Sequence, residues 1–170
     1  MGAADEPVAV YDAAGNPTGT APRGVVYRDR IWHAATGVLV RSGDGRRVVL
    51  HRRTADKLVF PGAWDCWAGG VVGPGETPDA AAERELAEEL GITGVALDPL
   101  PRFRFEGAVR YHVFPYETRW DGPLRPQASE VAWAGWVGLA ELRARLADPA
   151  RWPFADDGRL GIERWLADRG

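Results

Sequence analysis

The stretch that decides the fold runs from Gly69 to Ile92 and reads GGVVGPGETPDAAAERELAEELGI. It joins a glycine-rich turn to a short helix that carries several carboxylates. Glu85, Glu88 and Glu89 are spaced i, i+3 and i+4, so they project from one helical face with Cβ atoms roughly 5–6 Å apart. Like charges this close raise one another's pKa unless a cation lies among them. The pattern therefore indicates a site for a hard divalent cation, Mg²⁺ above all, with a phosphate-bearing substrate.

The residues around these carboxylates predict where the helix begins and ends. Thr77 is the expected N-cap, Pro78 suits the first turn, and Gly91 is the expected C-terminal stop. These signals predict a helix over about 78–90. Its buried stripe, at i, i+4 and i+8, consists of Ala82, Leu86 and Leu90.

The spacing of the stretch resembles the Nudix box, G-x5-E-x7-R-E-U-x-E-E-x-G-U with U aliphatic, at every defined position. The matching residues are Gly70, Glu76, Arg84, Glu85, Leu86, Glu88, Glu89, Gly91 and Ile92. The resemblance implies an α+β fold, an α/β/α sandwich around a mixed sheet, in one domain spanning 1–170 with its box at 70–92. It also implies Mg²⁺-dependent hydrolysis of a phosphoanhydride bond in a nucleoside diphosphate or a compound linked to one, with Mn²⁺ as a possible substitute metal.

The same resemblance suggests how the metal would be held. Glu88 and Glu89 resemble the firmest metal ligands of the family, and Glu85 resembles a ligand or a group next to one. The backbone carbonyl of Gly69 or Gly70 could complete the coordination. A bound water made acidic by the metal would attack phosphorus in line, with Glu85, Glu88 and Glu89 as the catalytic carboxylates.

Two further pairs of charged residues have expected roles. Glu76 and Arg84 resemble the structural ion pair that fastens the glycine loop to the helix. The stretch HRRTADKLVFPGAWD resembles the segment preceding the box in isopentenyl-diphosphate isomerase and its hydrolase-like relatives. In that segment, Arg53 and Lys57 of this chain match the groups with which those proteins hold the substrate's diphosphate. Lys57 is the single lysine among 21 lysines and arginines, and a compact ammonium binds phosphate as a point charge.

A general base is harder to place from sequence. Some Nudix members use a glutamate from a later loop, and Glu130 in RPQASEVAW occupies such a position, so we take it as the candidate. Glu106 and Glu117 are the alternatives. Nucleobase stacking is also open to several aromatic residues near the expected pocket. These are Phe60, Trp64, Trp67 and Tyr116.

Two rival functions come with the resemblance. The isomerases use a cysteine just before their box, but that position falls on Gly69 here, and a metal-binding histidine falls on Val71. Cys66 would face the opposite side of the strand, which leaves it as a small buried hydrophobe. Only His33 matches an isomerase histidine. The other rival, a nucleotide-binding module without catalysis, is disfavoured because no box carboxylate is missing.

Composition bounds the remaining possibilities. The chain has 170 residues, 45% of them hydrophobic, which fits one domain with a real core and no membrane-spanning run. The start, MGAADEPVAV, lacks the pattern of a signal peptide, and Cys66 is the only cysteine, so we expect a cytoplasmic protein. A net charge of −3 with mixed signs predicts a small-molecule partner rather than nucleic acid or membrane. A homodimer is possible.

Hydrophobic alternation and turn residues predict the other elements. The expected strands are Val8–Tyr11, Gly24–Arg28, Ala34–Val40, Arg47–Arg53, Trp64–Val72, Arg102–Phe105, Arg110–Thr118 and Ala132–Val137. Two more helices are expected, at Leu139–Ala147 and Ile162–Ala167. Strands covered by a few helices indicate an α+β layered arrangement.

Overall fold

A computed structural model describes residues 2–169. The strands are β1 (Pro7–Tyr11), β2 (Pro17–Pro22), β3 (His33–Arg41), β4 (Arg47–Arg53), β5 (Trp64–Asp65), β6 (Trp67–Ala68), β7 (Asp98–Pro99), β8 (Phe103–Glu106), β9 (Arg110–Arg119) and β10 (Val131–Gly138). The helices are α1 (Arg23–Arg28), α2 (Pro78–Leu90), α3 (Leu139–Leu146) and α4 (Asp156–Ala167). Within residues 2–169, no helix is both long and apolar enough to cross a membrane.

Strand β3 is the centre of a mixed sheet. Along one edge it pairs with β9 in parallel, from His33 opposite Tyr111 to Arg41 opposite Arg119. Along its other edge it meets β1, β6 and β4 in turn, all antiparallel. Strands β7 and β8 extend the sheet beyond β9, and β10 extends it beyond β4. Strand β5 pairs with the other edge of β4, and β2 pairs with β1.

The two faces of this sheet are covered by different helices. Successive side chains of a strand point to opposite faces, so Val38 and Val40 pack against α2, next to Leu86 and Leu90. Leu39 points the other way, into a cluster that contains residues of α3 and α4. The chain therefore forms helix, sheet and helix layers, which confirms the α+β class and the α/β/α sandwich.

The box helix lies where the sequence predicts it. Ala80 donates its backbone N–H to the Thr77 hydroxyl (3.2 Å), Pro78 opens the helix, and Gly91 ends it in the left-handed conformation at φ 69°. Ala82, Leu86 and Leu90 are buried. This geometry fixes the carboxylate face of α2 beside the glycine turn.

The prediction of a strand at Gly24–Arg28 is wrong, because these residues belong to α1. The valine pair favours a strand locally, but packing decides here, because the helical turn buries Val26 completely. Gly24 also lets the turn approach Ala4 closely, since an added Cβ would lie 3.1 Å from the Ala4 side chain.

Three other boundaries differ from expectation. The turn-rich segment after β1 contains strand β2, and the predicted strand Trp64–Val72 is broken by a bend at Cys66 into β5 and β6. Helix α4 begins at Asp156 rather than Ile162. Gly158 and Gly161 lower the helix propensity of its first half, so the sequence pattern shows only the second half.

Candidate active site

The carboxylates of α2 lie directly against the glycine turn. Glu89 is 4% exposed, and its Oε2 accepts a hydrogen bond from the Gly69 backbone N–H at 3.1 Å. A Cβ at Gly70 would lie 2.5 Å from Oε1 of Glu85, so only glycine lets the turn pass this close. Glu88 is exposed at the edge of the same face. The turn thus brings backbone groups and carboxylate oxygens to one place.

Arg84 ties the turn to the helix. Its Nε and Nη2 donate to the two carboxylate oxygens of Glu76 at 2.7 and 2.9 Å. Its Nη1 donates to Glu85 at 2.8 Å and to Glu88 at 3.3 Å. Glu76 also accepts from the Gly73 backbone N–H at 2.9 Å, so one carboxylate holds both the loop and Arg84. The structure therefore brings Glu76 and Arg84 together with bidentate geometry.

Burial sets the electrostatics of this face. It raises the pKa of Glu89 to about 8, and the negative charge of Glu85 adds to the effect. Burial also raises the pKa of Glu85, while Arg84 opposes the rise. Lys57 has the reverse shift, because burial lowers the pKa of its ammonium while Glu89 opposes the fall. In both carboxyl groups the cost of burial therefore outweighs the nearby positive charge.

This donor set fits a hard divalent cation in its chemistry. Such a cation prefers carboxylate and carbonyl oxygens, and its charge would relieve the repulsion between Glu85 and Glu89. The Gly70 carbonyl accepts from the Thr36 backbone N–H at 2.9 Å, which leaves the Gly69 carbonyl as the better candidate. Within residues 2–169, no three His, Cys, Asp or Glu side chains are already grouped to hold a metal. Glu85 and Glu88 would have to turn from Arg84 toward the ion.

A cavity of about 230 Å³ opens next to this face. Its walls come from β3, β9, the loop between β4 and β5, the glycine turn and the beginning of α4. The backbone of Gly69 and Gly70 connects the cavity to the box, and Arg53, Lys57 and Glu130 are among its charged lining residues. Apolar side chains line much of the rest, among them Val59, Phe60, Trp67, Val109 and Val113. A charged end and an apolar body suit a ligand with phosphates on a ring system.

The structure brings the predicted base and one predicted phosphate ligand together. Lys57 forms an ion pair with Glu130 at the cavity edge. Arg53 lies nearby but is already engaged, since its Nε donates to the Phe60 carbonyl (3.2 Å) and its Nη2 to the Val59 carbonyl (2.9 Å). Arg53 therefore shapes the loop that carries Lys57, while the Lys57 ammonium has its ion pair with Glu130.

Two alternative bases lie elsewhere. Glu117 is held by Trp165 and Arg169 at 2.8 and 2.7 Å, and neither it nor Glu106 lines the cavity. Of the four aromatic candidates, Phe60 and Trp67 line the cavity. Trp64 packs edge-to-face on Trp133 and Trp152, and Tyr116 donates to Asp79 of α2.

The cysteine and the histidine that bear on the isomerase rival are both buried, and His33 also lines the cavity. Cys66 is buried in the core cluster on the α4 side of the sheet. A side chain at Gly69 would overlap the Thr36 carbonyl oxygen, so the backbone has no room for the isomerases' cysteine in this conformation. His33 is buried and its Nδ1 hydrogen-bonds with the Ile31 carbonyl at 3.0 Å. Burial lowers the pKa of His33 to about 4.

Sequence reasoning missed the polar residues at the cavity floor. Asp65, Tyr111 and Asp157 come from β5, β9 and the first turn of α4. The one available signal was Asp65, a carboxylate between Trp64 and Cys66 in an otherwise apolar strand. Tyr111 and Asp157 gave no signal, because only the fold brings them to Asp65.

The chain is similar in sequence to known proteins. Residues 31–157 match the NUDIX domain family. The chain is 53% identical over 166 residues to an uncharacterized Nudix hydrolase, orf19 of Rhodococcus erythropolis, covering 92% of this chain and 89% of the relative. It is 38% identical over 154 residues to an isopentenyl-diphosphate Delta-isomerase of Nocardia farcinica, covering 85% of this chain and 86% of the relative.

Solved structures agree with this match. The crystal structure of DR0079 from Deinococcus radiodurans superposes with a TM-score of 0.80 at 25% identity, covering 94% of this chain and 98% of that one. The NUDIX domain of NrtR from Shewanella oneidensis, solved with ADP ribose, has a TM-score of 0.64 at 18% identity, covering 82% of this chain and 89% of that one. At that identity the second likeness concerns the fold.

Proposed function

This chain belongs to the Nudix hydrolase family, whose members act on pyrophosphate bonds, and we propose that it hydrolyses a nucleoside diphosphate or a nucleoside-diphosphate-linked compound with Mg²⁺ as its metal. The observation that carries the proposal is the carboxylate pair of α2, the buried Glu89 and the partly buried Glu85, held against the glycine turn whose residues Gly69 and Gly70 line the cavity. The nucleotide part draws support from the apolar walls of the cavity and from the ADP ribose bound by the NrtR domain.

The residues divide the work according to their positions. Glu85, Glu88, Glu89 and the Gly69 carbonyl would hold Mg²⁺, which supplies positive charge to the diphosphate and acidifies a water when bound. Arg84 and Glu76 keep the glycine turn at a fixed distance from α2. Lys57 offers its ammonium to the phosphates from the loop between β4 and β5.

Glu130 is the proposed general base. It lines the cavity beside Lys57. From this position a carboxylate oxygen of Glu130 could accept the proton of the attacking water. Because Lys57 binds this carboxylate in the protein alone, substrate phosphates would compete with Glu130 for the ammonium. Substrate binding would then free the carboxylate at the moment it is needed.

Cys66 and Gly69 bear on the compartment and on the type of reaction. The single buried cysteine suits a reducing cytosol, where we place the protein. The isomerase-named relatives share the fold, but an acid–base cysteine has no place at Gly69, so we assign hydrolysis rather than isomerisation.

A nucleotide panel tests the proposal. Nucleoside di- and triphosphates, sugar nucleotides and isopentenyl diphosphate would be incubated with the protein, with Mg²⁺ or with EDTA, and the products separated by chromatography. We expect a nucleoside monophosphate and a second phosphate-bearing product from some members, in Mg²⁺ alone. Isomerised isopentenyl diphosphate would contradict the proposal, as would Mg²⁺-dependent nucleotide binding without any turnover.

A further inference from the structure

Leu58 is an apolar side chain left uncovered in the wall of the candidate active site. It lines the cavity and is 53% exposed. Within residues 2–169, the other exposed large hydrophobic side chain is Trp133, at 45%, and it does not line the cavity. A single exposed leucine is ordinary on an open surface, but the apolar walls of a concave site are the parts that a ligand covers. Leu58 therefore presents apolar surface to the occupant of the cavity.

The fold holds the backbone on both sides of Leu58. On one side, the ammonium of Lys57 is engaged in its ion pair. On the other side, the carbonyls of Val59 and Phe60 accept from the Arg53 guanidinium at 2.9 and 3.2 Å. Leu58 is thus fixed in place by its neighbours while about half of its own surface stays open to water.

The two residues after Leu58 take the inward positions of this loop. Val59 and Phe60 pack against a buried cluster that contains Phe105, and the rings of Phe60 and Phe105 meet edge-to-face at 6.1 Å. Phe60 has φ 52°, a left-handed conformation that is uncommon for an aromatic residue. Such a conformation persists only where the surroundings enforce it, and it recurs at sites that clamp ligands. The loop therefore has one enforced shape, with the apolar surface of Leu58 left over.

Lys57 and Leu58 offer two different chemistries from adjacent positions. Both line the cavity, and the Cα atoms of consecutive residues are about 3.8 Å apart. In the proposed function the ammonium of Lys57 binds phosphate oxygens. The side chain of Leu58 has no group that binds phosphate, and it gains only when carbon atoms of a ligand remove it from water. The pair therefore matches a phosphate group joined to an apolar group such as the face of a nucleobase.

We propose that Leu58 is a specificity residue, which packs against the organic group of the substrate while Lys57 binds the phosphates. The contact stabilises the complex in proportion to the apolar surface that it removes from water. Nucleoside diphosphates and compounds linked to them can make the contact, whereas inorganic pyrophosphate cannot. This inference rests on the proposed function, because it takes Lys57 as a ligand of the phosphates.

Binding in EDTA, where the proposed metal is absent, tests the inference. Calorimetry gives dissociation constants of adenosine diphosphate, uridine diphosphate and inorganic pyrophosphate for wild type and for Leu58→Asn. Asparagine replaces the apolar surface of leucine with an amide. We expect Leu58→Asn to bind at least one of the nucleotides about fivefold more weakly, the effect of uncovering about half of a leucine side chain. Its binding of pyrophosphate should change less than twofold.

Two control variants locate the effect. Leu58→Met keeps an apolar side chain and should bind all three ligands within twofold of wild type. Trp133→Asn removes exposed apolar surface outside the cavity and should also bind as wild type does. Because Leu58 is exposed, its variants should keep the wild-type melting temperature. Nucleotide binding by Leu58→Asn within twofold of wild type, or an equal loss for nucleotides and pyrophosphate, would overturn the inference.

Hydrolysis, measured separately in Mg²⁺, distinguishes this inference from the proposed function. Nucleotide binding that depends on Leu58, in a protein that hydrolyses no nucleotide, would support the inference and contradict the proposed function. Hydrolysis with the same KM and kcat in wild type and Leu58→Asn would do the reverse. If both proposals hold, Leu58→Asn should raise KM for a nucleotide about fivefold and change kcat less.

Discussion

Glu89 and Lys57 carry opposite charges and share one difficulty, because burial disfavours the charged form of each. The pKa of Glu89 is raised to about 8 by burial and by Glu85, and burial lowers the pKa of Lys57. The positive charge of Lys57 partly offsets the rise in the pKa of Glu89, and the negative charge of Glu89 partly offsets the fall in the pKa of Lys57. In the proposed function a metal supplies positive charge to Glu85 and Glu89, and the diphosphate replaces Glu130 as the partner of Lys57.

Replacing Lys57 by alanine should therefore weaken substrate binding more than chemistry. We expect KM for the best nucleotide to rise about tenfold, with kcat changed less, because one charge-assisted contact to phosphate is lost. Steady-state kinetics measure both constants. Arg104→Ala, which removes a positive charge that does not line the cavity, is the control. An unchanged KM in Lys57→Ala would contradict the assignment of Lys57 to binding the substrate's phosphates.

At the scale of elements, the box is a loop and a helix joined by one bidentate ion pair. Arg84 and Glu76 are partly buried, at 38% and 19% side-chain exposure, and the pair also holds the Gly73 backbone. Arg28 and Asp29 form a second bidentate pair, but both are exposed and adjacent in the chain. The two pairs share their chemistry and differ in what they connect.

Arg84→Ala should consequently lower the free energy of unfolding by about 1–2 kcal/mol, a figure already reduced for partial exposure. It should also slow turnover, because the glycine turn loses its anchor to α2. Arg28→Ala should change stability much less. Chemical denaturation of the two variants beside wild type measures the difference. Equal losses, or none in Arg84→Ala, would show that the pairing does not fasten the box.

The elements that sequence could predict are those whose signals are local. The cap, the apolar stripe and the stop of α2 lie within 15 consecutive residues, Thr77 to Gly91, and its predicted bounds agree with the structure. Helix α1 depends on Val26 finding a buried position, which local propensity does not register. The start of α4 depends on Gly158 and Gly161, residues that weaken a helix locally and permit its contact with β5 and β6.

At the scale of the whole molecule, the cavity joins parts of the chain that are far apart in sequence. Its box end could be predicted, because the carboxylates share one helix and Lys57 precedes the box closely. Its floor could not, since Asp65, Tyr111 and Asp157 meet only through the pairing of β3 with β9 and the docking of α4. The same tertiary structure buries several ionisable groups, which makes stability depend on pH.

His51 and Asp65 should show this dependence with opposite signs. Burial, with Arg53 and Lys57 nearby, lowers the pKa of His51 to about 3, while that of Asp65 is raised to about 7 by burial and Asp157. Between pH 7 and pH 5 the side chain of His51 takes up a proton in the unfolded chain but stays neutral in the folded protein, so acidification favours unfolding at this residue. Folded Asp65 instead gains a proton there, while an unfolded aspartate stays ionised.

Unfolding free energies at pH 7 and pH 5 test both groups. On acidification, wild type should lose stability relative to His51→Leu and gain it relative to Asp65→Asn, each by on the order of 2 kcal/mol. Denaturant titrations of the three proteins give these differences. If the difference in unfolding free energy between wild type and a variant does not change with pH, or changes with the opposite sign, the burial account for that residue is contradicted.

The most direct measurement of the central claim is the turnover of Glu89→Gln against Mg²⁺ concentration, beside wild type and Glu83→Gln. Glu83 is an exposed glutamate of the same helix and serves as the control. We predict Mg²⁺-dependent hydrolysis by wild type and Glu83→Gln, and a loss of at least about 100-fold in Glu89→Gln with its melting temperature not lowered. Turnover of Glu89→Gln within threefold of wild type, or wild-type turnover undiminished in EDTA, would contradict the account.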